Sequence, residues 1–408
     1  MKKKIVLLAL TGILAAGSAY GSAFRIPEQS INSTALAGAY IANANGPDAS
    51  YFNPANMSWA EDRYQLEADL TYINLPTIDY TDNRGGFFDG SSQTENFFLP
   101  QLHVVSKNYS DFRFGFSLVY PFGLSKRWDE PVPSMTAKEF RLEVIEANPT
   151  LSYKISDKIS VGGGVRLLKA EGKVKSSSPL SPISQDLDGE TAELGYNLAL
   201  SYLPNKQWKI GATFRSRVDL NFEGDAKLVD LISPFTSDDD AEVTVVTPAV
   251  LSIGTSYTFD KTTVELTWDR TFWSRYTHLN FDYDGIVSPS PLDLFDSRIN
   301  KDWDDADAYR IGITHKCNDK LTTMIGFGID QTPIPEKTLH FELPDSKAKF
   351  YSLGFRYQKT ENLEIGAAYL YDDKESRKVT NSSGVLGIDG KFEDAAAHLL
   401  TLGFVYKY

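Results

Sequence analysis

Hydrophobic and polar residues alternate along most of this chain, in runs of roughly ten residues that turn-forming residues separate. This alternation is typical of membrane-spanning β-strands, in which every second side chain faces lipid. A half-buried strand of a soluble sheet alternates in the same way, so the interpretation depends on repetition. The pattern predicts fourteen strands, at 64–74, 97–107, 112–120, 140–153, 159–174, 192–202, 208–222, 243–259, 262–281, 308–315, 321–330, 349–358, 363–372 and 397–408.

The connections between the predicted strands alternate strictly between short and long. Six short turns lie at 108–111, 156–158, 204–206, 260–261, 316–320 and 359–362. Seven long connections lie at 75–96, 121–139, 175–191, 223–242, 282–307, 331–348 and 373–396. Outer-membrane barrels have short periplasmic turns and long external loops, whereas a soluble propeller or sandwich has no reason to keep this asymmetry. We therefore predict an all-β fold, a fourteen-stranded antiparallel transmembrane β-barrel over residues 64–408.

The first residues predict the compartment. Three lysines at 2–4 precede an apolar stretch at 5–16, and small residues follow up to Gly21. This is the organisation of a secretory signal peptide, and the apolar stretch is shorter than the roughly 20 residues of a spanning helix. We expect residues 1–21 to be removed and the barrel to reside in the bacterial outer membrane. The last strand ends in the aromatic Tyr408, which predicts recognition by the barrel assembly machinery.

Residues 22–63 lack the alternation of the strands. They offer small residues, scattered amides and a turn signal at Asn53-Pro54-Ala55, without an apolar run that would span a bilayer as a helix. Because both ends of an even-stranded barrel lie in the periplasm, a segment before the first strand can fold back into the lumen. We predict that residues 22–63 form an N-terminal plug, or hatch, inside the barrel.

Composition fits a barrel and excludes other classes. The net charge is −13, which argues against a nucleic-acid partner because phosphate binding needs clustered lysines and arginines. A mean hydropathy of −0.28 follows if only every second strand residue faces lipid. The 21 Tyr, 24 Phe and 6 Trp residues suit aromatic girdles at two membrane interfaces. The single cysteine, Cys317, cannot form an internal disulfide.

Neither catalysis nor a cofactor is predicted. The five histidines are scattered, the sequence has no Gly-x-Ser-x-Gly motif, and no His/Cys/Asp set has the spacing of a transition-metal site. Acidic residues cluster at 302–307 and 238–240, where we expect solvated external loops that divalent ions bridge to lipopolysaccharide. We therefore predict no enzyme activity, no cofactor and no metal site, with outer-membrane lipid and lipopolysaccharide as the surroundings.

Basic residues also fall on the predicted lumen face of the strands, at Arg113, Arg166, Arg215, Arg217, Arg310 and Arg356. Inside an acidic barrel they can bind the carboxylate head group of a ligand. Alternatively they pair with lumen carboxylates, for which Glu67, Asp69, Asp219 and Asp269 are candidates. The sequence leaves both roles open.

The third predicted strand contains an interruption. Its alternation over 112–120 stops at Pro121-Phe122-Gly123, where proline removes a ladder donor and glycine permits unusual dihedral angles. Pairing is expected to fail there, which would leave a side opening in the barrel wall. The alternative is that the strand simply reaches its loop at this point.

Short motifs spread over the whole mature chain point to a known family. They are Ser22-Ala23-Phe24, Ala35-Leu36-Ala37-Gly38-Ala39-Tyr40, Asn53-Pro54-Ala55, Pro100 with His103, 120–124, Phe214-Arg215-Ser216, Phe222-Glu223-Gly224, Trp273-Ser274, Ala308-Tyr309-Arg310, Asp330 with Pro333-Ile334-Pro335, and Leu343-Pro344-Asp345. In their order and spacing the chain resembles the long-chain fatty-acid transporter (FadL) family of outer-membrane proteins, which includes toluene and xylene uptake channels.

The resemblance implies passive uptake of long-chain fatty acids or similar hydrophobic compounds by a monomer. The ligand would be captured at external loops, the hatch would move, and the ligand would leave sideways through the break in strand three. Phe24 and Ile26 would then lie beside the ligand. Pro121, Phe122 and Gly123 would form the lateral opening, with the Asn53-Pro54-Ala55 turn as the fixed base of the hatch.

The head-group site differs from the one that the resemblance implies. Fatty-acid members of the family place a basic side chain near the end of strand five, where this chain reads Lys173-Val174-Lys175. A lysine ammonium would therefore bind the carboxylate, and Arg215 and Arg310 are further candidates. The two residue types are not equivalent, because a lysine presents a compact charge whereas an arginine presents a planar, forked set of donors. Uptake of uncharged aromatic hydrocarbons is the alternative function, and a general diffusion porin is a further one.

Overall fold

Fourteen strands form a closed antiparallel barrel, as the sequence predicts. The computed structural model describes residues 23–232, 235–283, 295, 298–381 and 387–408, so the predicted signal peptide lies outside the described residues. The strands are β1 Gln65–Leu75, β2 Glu95–Val105, β3 Phe112–Arg127, β4 Glu139–Lys154, β5 Ile159–Ser176, β6 Ile183–Tyr202, β7 Trp208–Arg215 with Val218–Asp230, β8 Phe235–Thr247 with Ala249–Phe259, β9 Thr262–Phe272 with Phe281–Tyr283, β10 Ala306–Lys316, β11 Leu321–Asp330, β12 Ala348–Gln358, β13 Leu363–Lys374 and β14 Ala396–Lys407. Strand β1 pairs with both β2 and β14, which closes the barrel.

The two faces of the wall have opposite chemistry. Large apolar side chains point outwards and are exposed, for example Phe114, Leu194 and Leu198. Polar and charged side chains such as Glu67 and Arg356 point inwards and are buried. This is the inverse of a soluble barrel and suits lipid outside and protein inside. Within the described residues, no helix combines the length and apolarity needed to cross a membrane.

Much of two predicted long loops forms strands instead. Strand β5 continues to Ser176 and β6 already begins at Ile183, while β7 continues to Asp230 and β8 already begins at Phe235. Ion pairs hold strands together there, as between Lys173 and Asp188 and between Lys175 and Asp186. Charged residues on the outer face abolish the lipid-facing alternation, so these segments read as loops although their backbone pairing continues.

Strand β7 changes face at its middle, which corrects part of the predicted arginine set. After the interruption at Ser216, Arg217 is exposed and pairs with Asp219, whereas Val218 and Leu220 are buried. A shift of one residue moves every following side chain to the other face of a sheet. The predicted lumen positions of Arg217 and Asp219 are therefore wrong.

The N-terminal segment is enclosed by the strands. It contains α1 Ile31–Ala35, α2 Ala49–Phe52 and a 3₁₀ helix Pro54–Trp59, and most of its residues are buried. Its hydrogen-bond partners include Ser117 of β3, Leu200 of β6, Ser352 of β12 and Thr401 of β14. These strands lie on different sides of the barrel, so the contacts are consistent with the predicted plug.

The external connections carry short elements of their own. They are the helix α3 Ser134–Ala137, the 3₁₀ helices Gly86–Phe88, Trp273–Arg275 and Glu336–Thr338, and the strands Asp79–Asp82, Gly90–Ser91, His278–Leu279, Ile299–Asn300, Arg377–Asn381 and Ile388–Glu393. Several of these connections meet above the hatch, where Trp128, Phe341 and Phe392 pack together in an apolar cluster. The cluster gives the outer end of the barrel a hydrophobic core of its own.

Candidate functional site

Strand β3 contains a β-bulge. Its register with β4 runs regularly from Phe112 to Val119 and then shifts before Phe122. Tyr120 and Pro121 therefore stand against a single residue of β4, which inserts one extra residue and reverses which side chains face the lumen. The strand does not end at Tyr120, as the sequence suggests, but continues to Arg127 with inverted phase.

Pairing between β2 and β3 stops at the same level. The last pair of their ladder is Leu102 with Leu118, and continuing that register would set Pro100 opposite Tyr120. Proline has no N–H to donate, so the ladder cannot extend through this position. In the described chain, residues 95–101 of β2 and 119–127 of β3 have no mutual ladder, and we call this stretch the wall gap.

The outer end of the wall gap is closed by other contacts. The Gln93 N–H donates to the Arg127 carbonyl at 2.8 Å, and the Arg127 guanidinium makes a two-pronged ion pair with Glu95 at 2.7 and 2.8 Å. An isolated bridge joins Ser92 and Trp128. The gap is therefore a window in the wall with paired backbone above and below it.

The beginning of the hatch, residues 23–29, takes the place of the missing strand, and we call it the hatch start. The Ile26 N–H donates to the Pro121 carbonyl at 2.9 Å, and the Gly123 N–H donates to the Phe24 carbonyl at 2.9 Å. These two bonds flank a bridge between Arg25 and Phe122. The bulged edge of β3 is thus hydrogen-bonded to the hatch instead of to β2.

The side chain of Gln29 adds to this replacement of the missing strand partner. Its Nε2 donates to the Tyr120 carbonyl and its Oε1 accepts from the Tyr120 N–H, both at 2.8 Å. The amide therefore supplies the donor and the acceptor that a strand partner opposite Tyr120 would supply. Gln29 is fully buried, and its own carbonyl oxygen lies 2.9 Å from His103 Nε2.

Above the hatch start lies an apolar cavity, the outer pocket. It has a volume of about 70 Å³ and is lined by the upper parts of β3 to β8 and by the loops around Trp303 and His340. Phe24 contributes to its lining and contacts the ring of Trp273 edge-on at a centroid distance of 4.7 Å. Inward-facing apolar residues such as Leu142 and Val174 make this end of the lumen hydrophobic.

Both lysines that line the outer pocket are already paired with carboxylates. Lys301 Nζ lies 2.6 Å from Glu342 Oε1, and Lys173 Nζ lies 3.0 Å from Asp188 Oδ1. Burial alone would raise the pKa of the Glu342 carboxyl, but Lys301 and His340 outweigh it and hold that pKa below its usual value. Glu342 is therefore an anion that neutralises Lys301, and the pocket offers a ligand mainly apolar contact.

A second cavity lies between the hatch start and the wall gap, and we call it the inner cavity. Its volume is about 190 Å³. Phe97 and Leu99 of β2 and Phe122 and Gly123 of β3 line it, so it borders both edges of the gap. The outer pocket and the inner cavity share Leu124, Leu142 and Leu343 in their linings, and the hatch start lies between the two spaces.

The structure places the predicted gate residues together. Phe24 and Ile26 belong to the hatch start; Pro121 accepts a hydrogen bond from it, Gly123 donates one to it, and Phe122 lies between these two bonds opposite Arg25. A side chain on Gly123 would meet the Ile26 side chain at 3.1 Å, so the two segments are closely packed. The sequence did not single out Gln29 or Lys126, although Pro100 and the bulge were visible as signals.

The predicted carboxylate-binding cations lie elsewhere or are paired. Arg310 pairs with Asp269 and Asp330 at 2.8 and 2.9 Å, and Arg215 pairs with Glu146 beside Tyr51 of the hatch. Neither arginine lines the outer pocket or the inner cavity. Lys173 lies at the rim of the outer pocket with its partner Asp188, and Lys175 outside that pocket pairs with Asp186.

The base of the hatch is fixed by buried hydrogen bonds. Asn53 Nδ2 donates to the carbonyls of Ile41 and Leu200. Pro54 and Ala55 pack so closely on β5 that a side chain on Gly162 would clash with their backbone at 2.7–2.8 Å. Glu265 of β9 adds a separate anchor, because its carboxylate accepts the backbone N–H groups of residues 41–43 at 2.6, 2.7 and 2.9 Å.

No group of metal ligands occurs among the described residues. The acidic side chains at 302–307 instead pair with nearby cations, as Asp302 does with Lys337 and Asp307 with Arg270. The side chains of residues 238 and 239 lie outside the described part of the chain.

Comparison with known proteins gives consistent matches over nearly the whole chain. A family model described as outer membrane protein transport protein (OMPP1/FadL/TodX) matches residues 12–408. The chain is 25% identical to the long-chain fatty acid transport protein of Escherichia coli O6:H1, with 98% of each chain covered. It is 23% identical to outer membrane protein P1 of Haemophilus influenzae, with 90% of this chain and 89% of that protein covered.

Solved structures match the fold. A FadL homologue of Pseudomonas aeruginosa superposes with a TM-score of 0.82 at 19% identity, over 94% of this chain and 99% of that one. The toluene transporter TodX of Pseudomonas putida gives a TM-score of 0.70 at 18% identity, over 93% of this chain and 98% of that one. At these identities the likeness concerns the fold.

Proposed function

Because the chain belongs to the OMPP1/FadL/TodX family of outer membrane transport proteins, we propose that it admits long-chain fatty acids or similar hydrophobic compounds through the wall gap. The protein is an outer-membrane channel for hydrophobic compounds and not an enzyme. The proposal adds the route, in which the ligand enters the outer pocket, passes the hatch start, occupies the inner cavity and leaves between β2 and β3.

One observation carries this proposal. The hatch start borders both the outer pocket and the inner cavity, together with Leu124, Leu142 and Leu343, and the same segment is the hydrogen-bonded partner of β3 at the wall gap. A movement of Phe24 and its neighbours would join the two spaces and free the edge of β3 in one step. The ligand would then need no path through the polar lower lumen.

Physical chemistry favours a sideways exit. Each CH₂ group that passes from an apolar site into water costs about 0.8 kcal/mol, so a long hydrocarbon chain is strongly disfavoured in a wet pore. Below the hatch start the lumen is filled by the remaining hatch and by buried ion pairs such as Arg166 with Glu146. The bilayer beside the wall gap offers the ligand an apolar destination directly.

A reversible lock on the hatch start tests the route. Arg25 and Phe122 face each other between two hydrogen bonds, the arrangement in which antiparallel Cα atoms lie about 4.5 Å apart and a disulfide fits. We expect Arg25→Cys with Phe122→Cys, in a Cys317→Ser background, to take up labelled oleate when reduced and to lose at least about 90% of that uptake when oxidised. The reduced form of the same protein is the control, and equal uptake in both forms would refute the route.

The substrate class has two candidates, since the matched proteins include both a fatty acid transporter and a toluene transporter. Direct binding of oleate and of toluene by the purified protein separates them, and the absence of oleate binding would exclude the first. A general porin would conduct ions steadily in planar bilayers, whereas a barrel filled by its hatch should be nearly silent. An adhesin would work equally well after deletion of residues 22–32.

A further inference from the structure

Lys126 faces the inner cavity because of the bulge. It follows the inserted residue of β3, and the reversed phase turns its side chain inwards. Only 5% of the residue is exposed, so its ammonium is removed from bulk water. In an uninterrupted strand the same position would point to the outer face of the wall.

The ammonium of Lys126 is left with unused hydrogen-bonding capacity. Its contact with Ser92 Oγ is long, at 3.5 Å, and no carboxylate of the described residues lies within 4.0 Å of it. An ammonium has three donors, and a buried cation without an anion is unfavourable. A ligand that supplies an anionic oxygen would remove this cost.

Nearby acidic groups are committed to other cations. Glu95 is held by Arg127, and Asp345 is held by Lys374 at 2.7 Å. Lys126 therefore differs from the lysines of the outer pocket, which have carboxylate partners of their own.

Around Lys126 the inner cavity is largely hydrocarbon. Its lining includes Ile78, Leu99, Leu124 and Ala395, while the carboxyl groups of Glu28, Glu143 and Asp372 lie elsewhere in the lining. A ligand with one negative oxygen group and an apolar body matches this distribution. A dianionic phosphate would bring a second charge into a cavity that already contains carboxyl groups.

We propose that Lys126 is the head-group site of the inner cavity and binds the carboxylate of an amphipathic ligand whose apolar body lies against the wall gap. This inference rests on the proposed uptake function, and it specifies which residue would bind the carboxylate if the substrate is a fatty acid. Capture in the outer pocket would select for apolar surface, and Lys126 would then select for the carboxylate.

The test compares two ligands of equal chain length, oleate and oleyl alcohol, on the purified full-length protein. We expect Lys126→Met to weaken oleate binding by roughly ten- to a hundredfold, the range for a hydrogen bond to a charged group, and to change oleyl alcohol binding less than about threefold. Lys126→Arg, which keeps the charge, should retain most of the preference for oleate. Lys169→Met, on the outer face of β5, is the matched control and should behave as the wild type.

Three results would overturn the head-group site. Equal losses for both ligands would indicate a structural role of Lys126, and an unchanged oleate affinity would show that the amine is not used. A selective loss of oleate binding in Lys173→Met with none in Lys126→Met would place the head group in the outer pocket. If the wild type binds neither ligand, the proposed function itself fails, which is a distinguishable outcome.

Discussion

Replacing Gln29 by leucine should release the hatch start from β3 while preserving the size of the side chain. The substitution removes both 2.8 Å hydrogen bonds to the Tyr120 backbone, and it leaves that N–H and C=O without a partner at a site where Gln29 is fully buried. Leucine fills much of the same volume, so the change tests hydrogen bonding rather than packing.

The free energy lost in Gln29→Leu can be estimated from the two hydrogen bonds. Each contributes about 0.5–1.5 kcal/mol net, and an unsatisfied buried group costs about 1–3 kcal/mol, although the adjacent inner cavity lets water relieve part of that cost. We therefore expect the closed position of the hatch start to lose about 2–3 kcal/mol. This corresponds to a rise of roughly 30- to 150-fold in the population of the open state.

Hydrogen–deuterium exchange measures this population directly. Peptides that cover residues 119–124 contain the Tyr120 and Gly123 amides, which bond to the hatch in the closed state. Their protection should fall by the stated factor in Gln29→Leu. Gln101→Leu is the matched control, because Gln101 is also buried but bonds to the side chain of Thr71.

Two exchange results would contradict the proposed role of Gln29. If protection of residues 119–124 in Gln29→Leu stays within about threefold of the wild type, the amide of Gln29 does not hold the strand edge, and the reasoning from geometry is wrong. If Gln101→Leu loses as much protection as Gln29→Leu, the effect is a general loosening of the barrel.

Three further predictions concern the hatch. Glu265→Leu should expose the amides of residues 41–43 to exchange by at least about tenfold, since each bond to a carboxylate is worth about 1.5–3 kcal/mol, and Glu265→Gln should lose less. Phe24→Ala should join the outer pocket to the inner cavity, so basal uptake of oleate should rise, and unchanged or lower uptake would count against Phe24 as the barrier. Burial raises the pKa of Glu28 to about 7 against the opposing effect of Arg310, so the closed hatch start favours the protonated carboxyl group. Protection of the hatch start from exchange should therefore fall as the pH rises from about 4.5 towards 7, and Glu28→Gln should remove this pH dependence.

The sequence predicted the barrel well because its signal is repeated fourteen times. The prediction failed where the alternation has no physical cause, because the outward side chains there are not selected for contact with lipid. Strands extend into the predicted loops at residues 175–176, 183–191, 223–230 and 235–242. Charged side chains such as Lys175 and Asp186 stand on the outer face there, so the alternation that marks a strand disappears. Strand β7 reverses its phase after Ser216, and a pattern read without this shift assigns Arg217 to the wrong side.

The site was predictable in outline only. Pro121-Phe122-Gly123 marked the wall gap, because proline and glycine disturb a ladder by their own chemistry. What fills the gap depends on which residues three-dimensional packing brings to it, and nothing local to Gln29 predicts a bond to Tyr120, 91 positions away. Leu142 and Val144 of β4 are apolar although they face inwards and line the cavities, so their hydrophobicity does not indicate which face of the strand they occupy.

The bulge in β3 has a genetic consequence. Removing one codon at Tyr120 or Pro121 would restore the register with β4, and every later side chain of the strand would turn over. Lys126 would then point away from the inner cavity in the same step that removes the kinked edge bound by the hatch. The inward direction of the Lys126 amine and the kinked edge of β3 therefore depend on the same inserted residue.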